Sequence, residues 1–245
     1  MTTFDTHAAG STASSASGPG ALSAFVSGTA SWATTSDHKK IGRLFIVVAL
    51  VVAAGGAVIG AFLGFERISA TGYSVLDRDM VVQLNNLYRI LLAFGVALPL
   101  LLGVAISVVP LQIGAKSIAF ARMALFGFWM WVGGLVVVVW SIAANGGPGG
   151  GEAKMVDLFL VGLVIAVSGA IAAAMSLVTT VLTNRAPGMT LSRVPLLTWA
   201  SLTGGFSIIL TLPVVVGTTI YLYVDHHYGR VAFGGNKGEI GRAHV

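Results

Sequence analysis

Very few side chains in this sequence could do chemistry. It has five histidines, nine carboxylates and no cysteine. Thiolate metal sites, CxxC redox pairs and disulfide frameworks are therefore excluded. The one histidine cluster is Asp225-His226-His227-Tyr228, with His244 further on. Adjacent imidazoles suit copper or zinc, but a metal site needs three or four ligands in fixed geometry. A polar tail supplies them poorly, so the expected state is a solvated loop, with His226 and His227 the only metal candidates. Tyr88 and Arg89 stand beside Asn85 and Asn86. Arg89 could bind an anion such as a lipid head group. The simpler expectation is that it snorkels to the membrane surface or pairs with Asp77 or Asp79, because an unpaired charge in lipid costs several kcal/mol. Glu66 and Asp157 fall at the ends of apolar runs, where acids are cheap, and Asp157 suits a helix N-terminus. The run Gly146-Gly147-Pro148-Gly149-Gly150-Gly151 lacks the Lys-Ser/Thr ending of a phosphate loop and is expected to be a flexible external turn.

The elements that must hold these residues follow from composition. Of 245 residues, 56% are hydrophobic and 9% charged, with a mean hydropathy of +0.89. Soluble domains carry about 25% charged residues, so an all-α integral membrane protein is expected. Five segments are each long enough to cross about 30 Å of hydrocarbon: 41–65, 88–110, 123–144, 155–183 and 195–224. Backbone groups in lipid must be satisfied internally, and no alternating barrel pattern occurs. Residues 1–36 are Ser, Ala, Gly and Thr with few large side chains, so a disordered cytoplasmic tail is expected there. A bundle over 37–225 and an external tail over 226–245 complete the domain organisation.

Loop charge orients the bundle. One set of loops carries Lys39, Lys40, Arg43, Lys116, Arg122, Arg185 and Arg193, opposed only by Asp37; the other set is mixed in sign. The positive-inside rule puts the N-terminus in the cytoplasm and, after five crossings, the C-terminus outside the plasma membrane. The net charge of +5 reads as loop bias, with the lipid bilayer as partner and no nucleic acid.

Three stretches resemble the heme–copper oxidase (cytochrome c oxidase) subunit I family. Thr35-Ser36-Asp37-His38-Lys39-Lys40-Ile41-Gly42 is similar to that family's T-x-DHK-x-IG start of helix I. Val109-Pro110-Leu111-Gln112-Ile113-Gly114-Ala115, with Ala119-Phe120-Ala121-Arg122-Met123 and Phe128-Trp129, resembles its VPLMIGA…AFPRM…FW turn. Thr179-Thr180 through Asn184-Arg185-Ala186-Pro187-Gly188-Met189-Thr190, then Pro195-Leu196 and Trp199, resembles TTI-x-N-x-RAPGMT…PL-x-x-W. The resemblance covers residues 35–228 and implies the first five of the family's helices in a five-helix bundle. The family orientation matches the one read from loop charge.

The resemblance also implies positions for heme and proton chemistry, and there this sequence departs. Counting back from Pro99, the low-spin heme ligand of helix II falls on Tyr88. The heme-contacting Arg at the end of helix I falls on Gly64, and the proton-uptake Asp of the helix II–III turn on Ser117. No histidine occurs between His38 and His226, whereas a low-spin heme of this kind takes two axial imidazoles. The implied cofactors, heme and copper, are therefore not expected here, and no residue is assigned to catalysis. The leading expectation is a heme-free, non-catalytic structural or assembly subunit, not an enzyme by itself, among other subunits of a membrane redox complex. The alternative is the N-terminal half of a split subunit I taking part in electron transfer to oxygen and proton pumping. A third reading is a metal- or quinone-binding membrane protein using His226 and His227, with Arg89 as an anion contact.

Overall fold

The computed structural model describes residues 34–68, 78–148 and 150–229, with the backbone alone for Arg67, Arg78 and Asp79. The segment 1–33, Asp77 and His244 lie outside them. All regular structure among the described residues is helical: α1 His38–Ile68, α2 Arg78–Ile90, a π-helical segment Leu91–Ala97, α3 Leu98–Gln112, α4 Ala121–Ala143, α5 Ala153–Thr183, a short 3-10 turn Leu191–Arg193 and α6 Leu196–Tyr228. Five stretches are long and apolar enough to cross a membrane: His38–Glu66, Met80–Gln112, Ala121–Ala143, Ala153–Thr183 and Leu196–Tyr228. They contain nearly all of the five segments read from hydropathy. The second reaches eight residues further out than expected, because α2 opens on Gln83, Asn85 and Asn86, whose polarity had broken the apolar run.

The helices approach closely where side chains are missing. A Cβ on Gly42 of α1 would lie 2.7 Å from Gly103 O of α3. A Cβ on Gly127 of α4 would lie 2.5 Å from Gly169 O of α5, and one on Gly134 would lie 2.6 Å from Gly162 O. Lipid offers no hydrophobic drive between helices, so such backbone contact supplies the packing attraction. The small residues Gly169, Ala170 and Ala173–Ala174 of α5 are buried inside the bundle. Beside this seam Phe45, Phe128 and Trp131 pack together, with Phe45 edge-on to Phe128 at 5.1 Å and stacked on Trp131 at 5.6 Å.

The π segment has a local cause. Pro99 has no N–H, and the Leu98 N–H reaches back to Ala93 O. Phe94 O is thereby left without a helical donor. The indole Nε1–H of Trp131 donates to it at 2.8 Å, so a carbonyl deep in lipid is satisfied by the neighbouring helix.

Two turns resembling the family motifs meet at one end of the bundle. Gly114 takes the left-handed conformation (φ 68°) and Gly188 likewise (φ 83°). The Ala186 N–H donates to Ile113 O at 3.0 Å, and the Thr198 hydroxyl donates to Gln112 Oε1 at 2.8 Å. The Ala119 N–H donates to Thr180 Oγ1 (2.9 Å), whose own hydroxyl donates to Ser176 O (2.6 Å). The Ser176 hydroxyl in turn donates to Ala119 O. These bonds give Gln112, Thr180 and Thr198 structural partners across the two turns. α5 ends at Thr183, before Pro187, and Pro195 caps the start of α6.

Candidate functional site

The positions where the resemblance implies heme and proton chemistry are scattered. Tyr88 lies in the last turn of α2, half-buried, with its ring against α1: a Cβ on Gly60 would meet Tyr88 Cε2 at 3.1 Å. Gly64 is exposed one turn further along α1, and nothing lies within 4 Å of where its Cβ would be. Ser117 is exposed in the turn between α3 and α4, where its carbonyl accepts from Asn184 Nδ2 at 3.4 Å. Arg89 is exposed. Its expected partners, Asp77 and the Asp79 side chain, are outside the described residues.

The end of the bundle where α6 terminates holds a constellation that sequence reasoning missed. Asp157 sits early in α5, and one oxygen each of its carboxylate meets His226 Nδ1 (2.6 Å) and His227 Nδ1 (2.8 Å). A carboxylate oxygen accepts, so in each contact the imidazole Nδ1–H is the donor. The side chains of His226 and Asp157 are 13% and 19% exposed, against 47% for His227. His227 also stacks on Tyr223 at 5.4 Å. The expected solvated loop at 225–228 is thus corrected: α6 continues to Tyr228 and stops at left-handed Gly229 (φ 61°), whose N–H bonds Asp225 O. Asp225 itself is buried. A signal was present, since an acid near one helix start and imidazoles in the last turn of its antiparallel neighbour both suit the helix dipoles. Among the described residues no group of three His, Cys, Asp or Glu has the geometry of a metal site.

The glycine-rich turn is likewise packed rather than loose. The Gly146 N–H donates to Ser141 O at 2.8 Å, the Ser141 hydroxyl donates to Met155 O, and Asn86 Nδ2 donates to Pro148 O at 3.0 Å. Gly147 lies so close to Gln83 Oε1 of α2 that a Cβ there would clash. The turn therefore holds α2 against the α4–α5 hairpin.

Comparison with known proteins agrees with the fold. Residues 40–241 match the family described as Cytochrome C and Quinol oxidase polypeptide I. Among curated relatives, the putative cytochrome c oxidase subunit 1-beta of Streptomyces avermitilis is 28% identical over 84% of this chain and 39% of its own length. The cytochrome c oxidase subunit 1 of Corynebacterium diphtheriae is 31% identical over 87% of this chain and 41% of its own. The quinol oxidase subunit 1 of Bacillus subtilis is 29% identical over 81% and 32%. The chain thus spans about two fifths of the length of the cytochrome c oxidase relatives. Five membrane-spanning helices, the two interlocked motif turns and the match over most of its length place this chain in the subunit I family of cytochrome c and quinol oxidases.

Proposed function

We propose that this chain is a heme-free, non-catalytic member of the family that serves as a structural or assembly subunit of a membrane oxidase complex. The observation that carries the reading is Tyr88. At the place where the resemblance implies an axial histidine, a phenol ring packs against Gly60 of α1, and no other imidazole occurs from residue 39 to 225. These residues do not fit a heme held between two imidazoles. Gly64 and Ser117 support the same reading, because a heme-contacting cation and a proton-uptake acid are missing at two other places. The scaffold is meanwhile kept: both motif turns retain the residues that bond across to each other. The Lys and Arg bias of one set of loops supports an N-terminus in the cytoplasm and a 225–228 end outside.

A role among other subunits agrees with where apolar surface remains. In the apolar stretch of the first and last spans, 17% (α1) and 11% (α6) of residues are buried within the chain, against 39–50% for the three between. The test is purification of the complex from its native membrane through a tag on this chain. The reading expects co-purifying subunits that account for all heme and copper, and turnover per heme unchanged by Tyr88→Phe. Turnover abolished by Tyr88→Phe overturns it.

One observation favours a second reading, a functional portion of a split or longer subunit I. The relatives extend well beyond the matched region, and the weakly buried α1 and α6 are the faces further helices of such a subunit would cover. On that reading heme would be bound stoichiometrically once the remainder is present.

A further inference from the structure

A cavity of about 330 Å³ opens at the outer end of the bundle between α2, α5 and α6. Its walls include Ile90, Phe159, Leu163, Thr219, Leu222 and His226. This is about twice the roughly 150 Å³ engineered cavity that takes up benzene. Thr219 and His226 are two helical turns apart on α6, so the cavity runs roughly 10 Å from the membrane surface into the hydrocarbon. The lining is apolar apart from Thr219 at the deep end and the imidazole at the mouth.

The imidazole sets the chemistry of what fits. His226 Nδ1 donates a hydrogen bond to Asp157 Oδ1 at 2.6 Å, and in the tautomer which that bond fixes, Nε2 is the acceptor. The Thr219 hydroxyl donates within its own helix to Val215 O at 2.7 Å, so its remaining capacity is also to accept. The mouth therefore asks for an O–H donor. An anionic head is disfavoured twice: no Lys or Arg lines the cavity, and the Asp157 carboxylate stands directly behind the imidazole. A carboxylate or phosphate would meet like charge with no cation to offset it.

We propose that this cavity binds the uncharged, hydroxyl-headed end of a neutral lipid of the diacylglycerol type. The lipid hydroxyl donates to His226 Nε2, and the first part of an acyl chain lies along Leu222, Leu163 and Phe159. The inference does not rest on the absence of heme, since Tyr88, Gly64 and Ser117 are not among the residues that line the cavity.

The test is titration of the detergent-purified full chain with 1,2-dioctanoylglycerol, read by native mass spectrometry, with dioctanoyl phosphatidic acid as the anionic counterpart. One equivalent of the diacylglycerol is expected to bind, about tenfold more tightly than the phosphatidic acid, the ratio for one hydrogen bond's worth of free energy. Leu163→Trp fills the cavity and abolishes that equivalent. His226→Phe keeps the ring but removes the acceptor and weakens binding about tenfold. Should Leu163→Trp fail to fold, Leu222→Trp blocks the same space from α6. Equal or tighter binding of the phosphatidic acid overturns the proposal, as does binding unchanged by the Trp and Phe variants, which would mark annular lipid only.

Discussion

Gly133 and Gly134 are neighbours on α4, yet the same substitution must act on them with opposite sign. A Cβ on Gly134 would lie 2.6 Å from Gly162 O and closer still to Ala166 N, both on α5; a Cβ on Gly133 meets nothing within 4 Å. Carbon contacts are comfortable near 3.5–4.0 Å, so Gly134→Ala forces α4 and α5 apart by about 1 Å. The opposing atoms are backbone and cannot rotate away. A gap of that size forfeits about a quarter to a half of each contact it opens, along a seam that also includes Gly127 against Gly169 and Gly162 against Val137. The expected cost is about 1–3 kcal/mol, the usual range for overpacking. Gly133→Ala instead gains about 0.5–1 kcal/mol from helix propensity. The assay is reversible unfolding in mixed micelles with increasing denaturing detergent, followed by tryptophan fluorescence and circular dichroism. Two variants shifting the midpoint in the same direction, or by the same amount, would refute the claim that backbone contact between α4 and α5 holds the bundle.

Other outcomes follow from single bonds. Trp131→Phe keeps an aromatic ring but leaves Phe94 O without its donor, and a loss of about 1–3 kcal/mol is expected in the same unfolding assay; an unchanged midpoint would mean the π segment satisfies its own carbonyl. Thr180→Val preserves shape while stripping the acceptor from the Ala119 N–H, at about 1–2 kcal/mol. Slowed amide exchange at Ala119 in that variant would contradict the assignment. A double-mutant cycle of Asp157→Asn with His226→Asn is expected to return a coupling of about 0.5–1.5 kcal/mol, and a coupling of zero would show that α5 and α6 are not tied there.

How far the sequence could be read depended on what kind of force set each feature. The five spans are stated by hydropathy, because lipid sorts residues by transfer free energy along the chain. Gly114 and Gly188 were visible within the family-like motifs, and both adopt the left-handed turns that glycine permits. The start of α2 was hidden: Gln83, Asn85 and Asn86 read as loop, but Gln83 and Asn86 pack against the glycine-rich turn. That turn was itself misread as flexible, since glycine marks close backbone approach as readily as freedom. The Asp157–His226–His227 constellation joins residues 69 and 70 positions apart. Only the packing of α5 on α6 brings them together, and the one local sign was that each group suits the dipole of its own helix end. Tyr88 was singled out by its place relative to Pro99. Its contact with Gly60 required the structure, because hydropathy does not say which face of α1 meets α2.

The central claim, that this chain keeps an oxidase scaffold without holding heme, meets its most direct test in one measurement. It is a reduced-minus-oxidised optical spectrum, with metal analysis, of the detergent-purified chain produced alone in a heme-competent host. The account predicts a folded helical protein with no heme bands and no bound copper. A stoichiometric low-spin heme spectrum would contradict it, and would mean that Tyr88 does not stand where an axial ligand belongs.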